Sequence, residues 1–174
     1  MLQNLGAVYI QAIGVSHVII SVFMSFYGFF IAKNDYDFLY IFFTVVIVIS
    51  WTYYNGECSL TYYVKNAEDD NYMAGQESTD MKDTYLLFGS KYISYIIITL
   101  LIFVHAMSEY IVLRRNEYPP YLYLSLPALH ILYTMSLRIF ESNLHENELF
   151  LLIQDAFKAF FIVILMLIVV LRSP

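Results

Sequence analysis

Residues 6–32 read GAVYIQAIGVSHVIISVFMSFYGFFIA and contain no Asp, Glu, Lys or Arg. About 20 apolar residues in helical form cross the hydrocarbon core of a bilayer, so this stretch is long enough to span one. Lipid offers no partner to backbone N–H and C=O groups, so a spanning run of this kind is a helix. A transmembrane barrel alternates apolar and polar residues, whereas this run is continuous.

Outward from that stretch, residues 38–55, 85–113, 119–140 and 149–171 have the same character. Together they predict an all-α, polytopic transmembrane helix bundle of five spanning helices, with residues 1–174 as a single transmembrane domain. The connections at 33–37, 114–120 and 141–148 are short, which favours antiparallel neighbours. Pro119 and Pro120 suit a first helical turn, where the missing N–H would be unpaired anyway. The exception is the connection at 56–84, which carries seven acidic residues against Lys65 and Lys82. It is expected outside the membrane, with a short helix near residues 60–66 followed by a loop.

Composition supports the same class. The 174-residue chain is 60% hydrophobic and 14% charged, with a mean hydropathy of +0.62. Soluble domains carry about 25% charged residues, and so short a chain cannot hide this much apolar surface in one aqueous core. The same numbers exclude disorder. A net charge of −6 without basic clusters argues against nucleic acid as a partner. The expected partners are the lipid bilayer and other membrane proteins or further copies of this chain. Cys58 is the single cysteine, so no intrachain disulfide can form. With no basic segment or small-residue cleavage site at the start, no cleaved signal peptide is expected. Tyrosines gather near the ends of the apolar runs, where amphipathic rings sit at headgroup level. Heavy use of Ile, Phe, Tyr and Asn points to an AT-rich genome. A viral envelope, an organelle inner membrane and a plasma membrane all stay open.

Orientation follows the basic residues. With five spans, Lys33, Arg114, Arg115 and Arg172 share one side, while Lys65, Lys82 and the edge residue Arg138 share the other. The first group lies in short loops and at a helix end, where the positive-inside rule applies best. The C-terminus is expected inside, and the N-terminus and acidic connection outside.

Polar groups inside a membrane are costly and by default suggest a functional site. In the first span Gly14, His17, Ser21, Ser25 and Gly28 fall three or four residues apart on one face. Small residues let helices approach closely, so this face reads as a packing surface, with His17 hydrogen-bonded to a neighbour or lining a site. His105 and Glu109 are four apart in the third span. His130, Thr134 and Arg138 share a face of the fourth. His17 and His130 both fall near mid-membrane, and two such histidines on different helices can ligate a haem. Asp155 and Lys158, three apart in the last span, read as an ion pair facing the bundle. Cys58 reads as a packing residue, because its neighbour Glu57 works against the depressed pKa that a reactive thiol needs.

Two resemblances add to this. Residues 119–172, with Pro127, Asp155-Ala-Phe-Lys158 and Leu171-Arg-Ser, resemble the last two helices of microbial rhodopsins. The resemblance implies retinal on Lys158 as a Schiff base, with Asp155 as counter-ion. It departs in spacing Asp and Lys by three residues rather than four, in helix number, and in lacking tryptophans in these helices. Residues 17–75 resemble a family of small, uncharacterised multi-pass membrane proteins. These have a histidine in the first helix and a Gly-x-Cys-Pro-Leu-Thr-x-Leu-Glu stretch after the second. Here the corresponding residues are His17, Trp51, Gly56-Glu-Cys58-Ser-Leu60-Thr61 and Tyr72-Met-Ala-Gly75, with Ser59 in place of proline and Val64 in place of the last glutamate. The implication is a special role for the membrane-edge residues Trp51, Gly56, Cys58 and Thr61.

No P-loop, His-Glu-x-x-His zinc site or nucleophile elbow occurs. The leading expectation is a non-enzymatic scaffold or accessory subunit in a membrane. The alternative is a retinal-binding, other cofactor-binding or ion-transport protein built on Lys158, Asp155, His17, His130 and His105.

Overall fold

The computed structural model describes residues 2–78, 88–140 and 143–172. Helices α1 (Leu2–Phe30), α2 (Asp37–Tyr53), α3 (Ser59–Glu68), α4 (Lys91–Arg115), α5 (Pro120–Phe140) and α6 (Glu148–Arg172) follow in order, with a 3-10 turn at Leu144–Glu146 before α6. No strand occurs among the described residues. The stretch 79–87, which includes part of the acidic connection and the expected start of the third span, lies outside the described residues.

Three segments are long and apolar enough to cross a membrane: Ile10–Phe30, Tyr92–Arg115 and Glu148–Arg172. Helix α2 is apolar but has 17 residues. Helix α5 has the length but not the apolarity, because His130, Thr134, Ser136 and Arg138 dilute it.

The five long helices run alternately in opposite directions. On α1 and α4, Ser25 Oγ donates to Leu101 O at 3.1 Å and Gly28 N–H donates to Ser108 Oγ at 2.7 Å. These pairs advance together, so the two helices are parallel. Between α2 and α4 the partners run in reverse: Thr44 with His105, Tyr40 with Ser108, Asp37 with Arg115. Helix α6 lies antiparallel to α2, with Gln154 Nε2 donating to Asn55 Oδ1 at one end and Arg172 over the Phe38 ring at the other.

Large apolar side chains such as Ile19, Phe30, Ile139 and Leu152 are exposed, while the interior combines an apolar core, with Val45, Leu113, Leu126 and Phe161, and the buried polar residues Thr44, Ser108, Glu109 and His130. An apolar outer surface suits lipid as solvent, and polar groups turned to the inside of the bundle are placed where a membrane protein tolerates them.

Polar clamps close both ends. At one end Arg115 Nε donates to Asp37 Oδ2 at 2.8 Å, and Asn116 Nδ2 and Tyr27 OH donate to the same carboxylate. At the other, Lys65 Nζ donates to Glu57 Oε1 and to Glu77 O, and Tyr72 OH donates to Glu57 Oε1 at 2.6 Å. Burial first, and then the hydrogen bond and charge of Glu57, hold the Tyr72 phenol above its ordinary pKa. Leu144 N–H donates to Gly75 O at 2.8 Å, docking this outer segment on the turn before α6.

Candidate functional site

A cavity of about 240 Å³ occupies the half of the bundle nearest α3. Helices α1, α2, α4 and α5 form its sides, and the segment from Gly56 to Thr61 covers it. Helix α6 contributes no lining residue. Its surface is mostly apolar, from residues such as Ile20, Met24, Val48 and Ile102, with several serines and threonines among them. Set into it are His17, Trp51, Cys58, His105, His130 and Arg138.

Glu109 anchors one side. It is fully buried on α4, one helical turn after His105, and faces α5. His130 Nδ1 lies 2.7 Å from Glu109 Oε1, and His105 Nε2 lies 3.6 Å from the same oxygen. Thr44 Oγ1 stands 3.3 Å from His105 Nε2. The carboxylate therefore sits between two imidazoles, and His130 is turned by an N–H donated to it. Pro127 lies inside α5 three residues before His130, so the carbonyl of Tyr123 loses its helical donor. The His130 ring packs edge-on against Trp51, with centroids 5.8 Å apart.

Three atoms in this group are buried without a hydrogen-bond partner: His130 Nε2, Trp51 Nε1 and Glu109 Oε2. His130 itself is only 1% exposed. An unsatisfied buried polar group costs about 1–3 kcal/mol, and native structures hold few of them. Two of the three belong to residues of the cavity wall.

At the covering edge Cys58 Sγ lies 3.5 Å from His17 Nε2. Cys58 caps the N-terminus of α3 in an extended conformation. The amides of Leu60 and Thr61 lie close enough to favour the thiolate, although neither completes a hydrogen bond to the sulfur. Burial pushes the Cys58 thiol up, but His17 and these amides together outweigh it and hold the thiol below its ordinary value. The opposition expected from Glu57 does not arise. The Glu57 carboxylate is taken by Lys65 and Tyr72, and the neighbour that matters is His17, 41 positions away. Gly56, at φ +86°, lets the chain turn into this segment; a Cβ there would overlap Leu137.

The residues singled out from sequence divide clearly. His17, Ser21, Ser25, Trp51, Gly56, Cys58, Thr61, His105, His130 and Arg138 all line the cavity. Glu109 stands behind His130. Gly14 is buried, and Gly28 packs on Ser108, where a Cβ would come within 2.6 Å of the Ser108 carbonyl oxygen. Of the small-residue face of α1, Ser25 and Gly28 thus meet α4, while His17 and Ser21 line the cavity. Arg138 Nη2 donates to Thr99 Oγ1 at 3.1 Å, and its guanidinium lies over the Tyr95 ring.

Lys158 and Asp155 lie elsewhere. Lys158 Nζ donates to Asp155 Oδ1 at 2.9 Å and sits over the Tyr53 ring. The Asp155 side chain is 71% exposed, so this pair lies on the outer surface of α6 and does not face the bundle as expected. A retinal attached at Lys158 would not enter the cavity. His17 and His130 both line the cavity, but His17 Nε2 faces Cys58 Sγ and His130 Nδ1 faces Glu109. Among the described residues no group of three His, Cys, Asp or Glu is arranged to hold a metal ion.

Sequence reasoning missed Thr44 and the Glu57–Lys65–Tyr72 cluster. The opposite charges of Glu57 and Lys65 flanking an apolar stretch were the available signal. Comparison with protein-family models, curated proteins and solved structures finds no match. Fold and site together define a helical membrane protein with a polar-studded internal cavity.

Proposed function

We propose that this chain is a five-span membrane protein, N-terminus outside and C-terminus inside, that binds a lipid-soluble amphiphile in its outer cavity. The alternating direction of the five helices supports five crossings. The orientation is supported by Arg114, Arg115 and Arg172 lying at the same end of the bundle, with the acidic connection at the other.

One observation carries the ligand reading. The bundle encloses a cavity whose surface is mostly apolar and in whose lining His17, Trp51, His105 and His130 stand. An apolar chain with one polar head group would match that lining. A scaffold role was motivated by the small-residue face of α1 and by the acidic connection. Ser25 and Gly28 of that face are taken by α4, which leaves the acidic connection as the surface for a partner in that reading.

The test is native mass spectrometry of protein released from lipid nanodiscs. A bound amphiphile should appear as a discrete mass addition in the native protein. It should be lost in Ser21→Phe and in Ile102→Phe, each of which fills the cavity, while helical content is kept. An addition that survives in both folded variants overturns the reading.

A further inference from the structure

The cavity and the Cys58–His17 pair are one structure, not two. Cys58 lies where the α2–α3 connection covers the cavity, and both residues of the pair are in its lining. The sulfur lies 3.5 Å from an imidazole nitrogen, and Cys58 is the N-cap residue of the ten-residue helix α3, without a side-chain hydrogen bond to its amides. A thiol beside a histidine, at the positive end of a helix, is the arrangement that activates a cysteine nucleophile. The cavity itself is a second, independent sign of a ligand: it is internal, mostly apolar in surface, and lined by both members of the pair.

We propose that Cys58 and His17 form a nucleophilic pair that accepts an acyl group from a long-chain ester or thioester seated in the cavity. The inference rests on the amphiphile-binding reading and adds the chemistry. His17 takes the thiol proton, and the Cys58 thiolate attacks the carbonyl carbon. A C–S bond forms as the C–O bond of an ester, or the C–S bond of a thioester, breaks. The imidazolium returns its proton to the departing alcohol or thiol. The products are an acylated Cys58 and the free leaving group; no oxidant or reductant is involved. The apolar walls hold the chain, which selects long acyl groups over short ones. Metal assistance is not needed, because the nucleophile and the proton carrier are both side chains of this chain.

Glu57, the nearest acid in sequence, does not compete for the proton. Its carboxylate is held by Lys65 and Tyr72, and Gly75 N–H donates to its other oxygen at 3.2 Å.

The full-length protein in nanodiscs is mixed with the p-nitrophenyl ester of a long-chain fatty acid. Nitrophenolate release and intact mass are followed together, while a brominated alkyl ether that cannot transfer an acyl group reports binding by quenching Trp51. One equivalent of nitrophenolate should appear with one acyl mass on Cys58, and Cys58→Ser should abolish both. A general base contributes about 10²–10⁴-fold, so His17→Gln should slow acylation about a hundredfold while the ether still quenches Trp51. The acetyl ester should react far more slowly than the long-chain ester. Quenching without acylation overturns the acyl inference and leaves the binding reading standing. Acylation at an unchanged rate in His17→Gln, or without chain-length preference, also overturns it. Failure of both quenching and acylation removes both readings.

Discussion

Glu109 of α4 and His130 of α5 meet at 2.7 Å with both side chains shut away from solvent. Removing one partner of a buried pair leaves the other without compensation, a loss of about 3–5 kcal/mol, whereas replacing both by apolar groups is often close to neutral. Glu109→Leu and His130→Leu should therefore each destabilise by about 3 kcal/mol. The double variant should lose less than either single one. Denaturant unfolding in mixed micelles measures the cycle; additive losses would show that the two residues are not coupled.

Gly28 is fixed by contact, not by backbone freedom. A Cβ there meets the backbone oxygen of Ser108 at 2.6 Å before it meets the side chain. Gly28→Ala should cost about 1–3 kcal/mol, the usual penalty for overpacking. Adding Ser108→Gly should not restore the loss, because the carbonyl stays in place. Thermal melts of the single and double variants check this.

Cys58 has a pH signature whose sign follows from its surroundings. Only the thiolate reacts with alkylating reagents. With His17 beside it the thiol is held down, so the midpoint of the rate against pH should fall below the ordinary thiol value of about 8.5. In His17→Ala burial is left to dominate, and the midpoint should move above that value. Iodoacetamide kinetics from pH 6 to about 10 cover both midpoints.

The Asp155–Lys158 pair is a surface pair, with Asp155 71% exposed. On a spanning helix that surface meets lipid, where a lone charge costs about 3 kcal/mol, so Lys158→Ala should destabilise more than the double variant Asp155→Asn/Lys158→Ala and leave cavity binding intact. Added retinal should give no visible band in the native protein. A band lost in Lys158→Ala would reinstate the chromophore reading.

Much of this architecture was legible because lipid imposes simple rules on sequence. A charge-free run such as residues 6–32 is a helix wherever it spans. The three- and four-residue spacing of Gly14, His17, Ser21, Ser25 and Gly28 marks a face that must meet something close. His105 and His130 stood out because ionisable groups inside a span are expensive, and Trp51 and Cys58 because of the resemblance over residues 17–75. What spacing could not give was which faces meet. His17 and Cys58 are 41 positions apart, and no local pattern joins them. Asp155 and Lys158 misled for the opposite reason: their three-residue spacing ensures contact along one helix but does not say that α6 turns Phe150, Gln154, Phe161, Ile164 and Ile168 inward instead. The apolarity of α5 was overestimated because its polar residues are spread along the whole helix.

Trp51 is the only tryptophan in the chain, and it lines the cavity, so its fluorescence reports directly on occupancy. The decisive measurement is a titration of the protein in nanodiscs with a fatty acid brominated near the middle of its chain. The account predicts saturable quenching of Trp51, reversed by the unbrominated acid and absent in Ser21→Phe. Quenching that rises linearly with the probe's mole fraction, and is the same in Ser21→Phe, would mean that Trp51 senses only bulk lipid and would contradict a ligand-binding cavity.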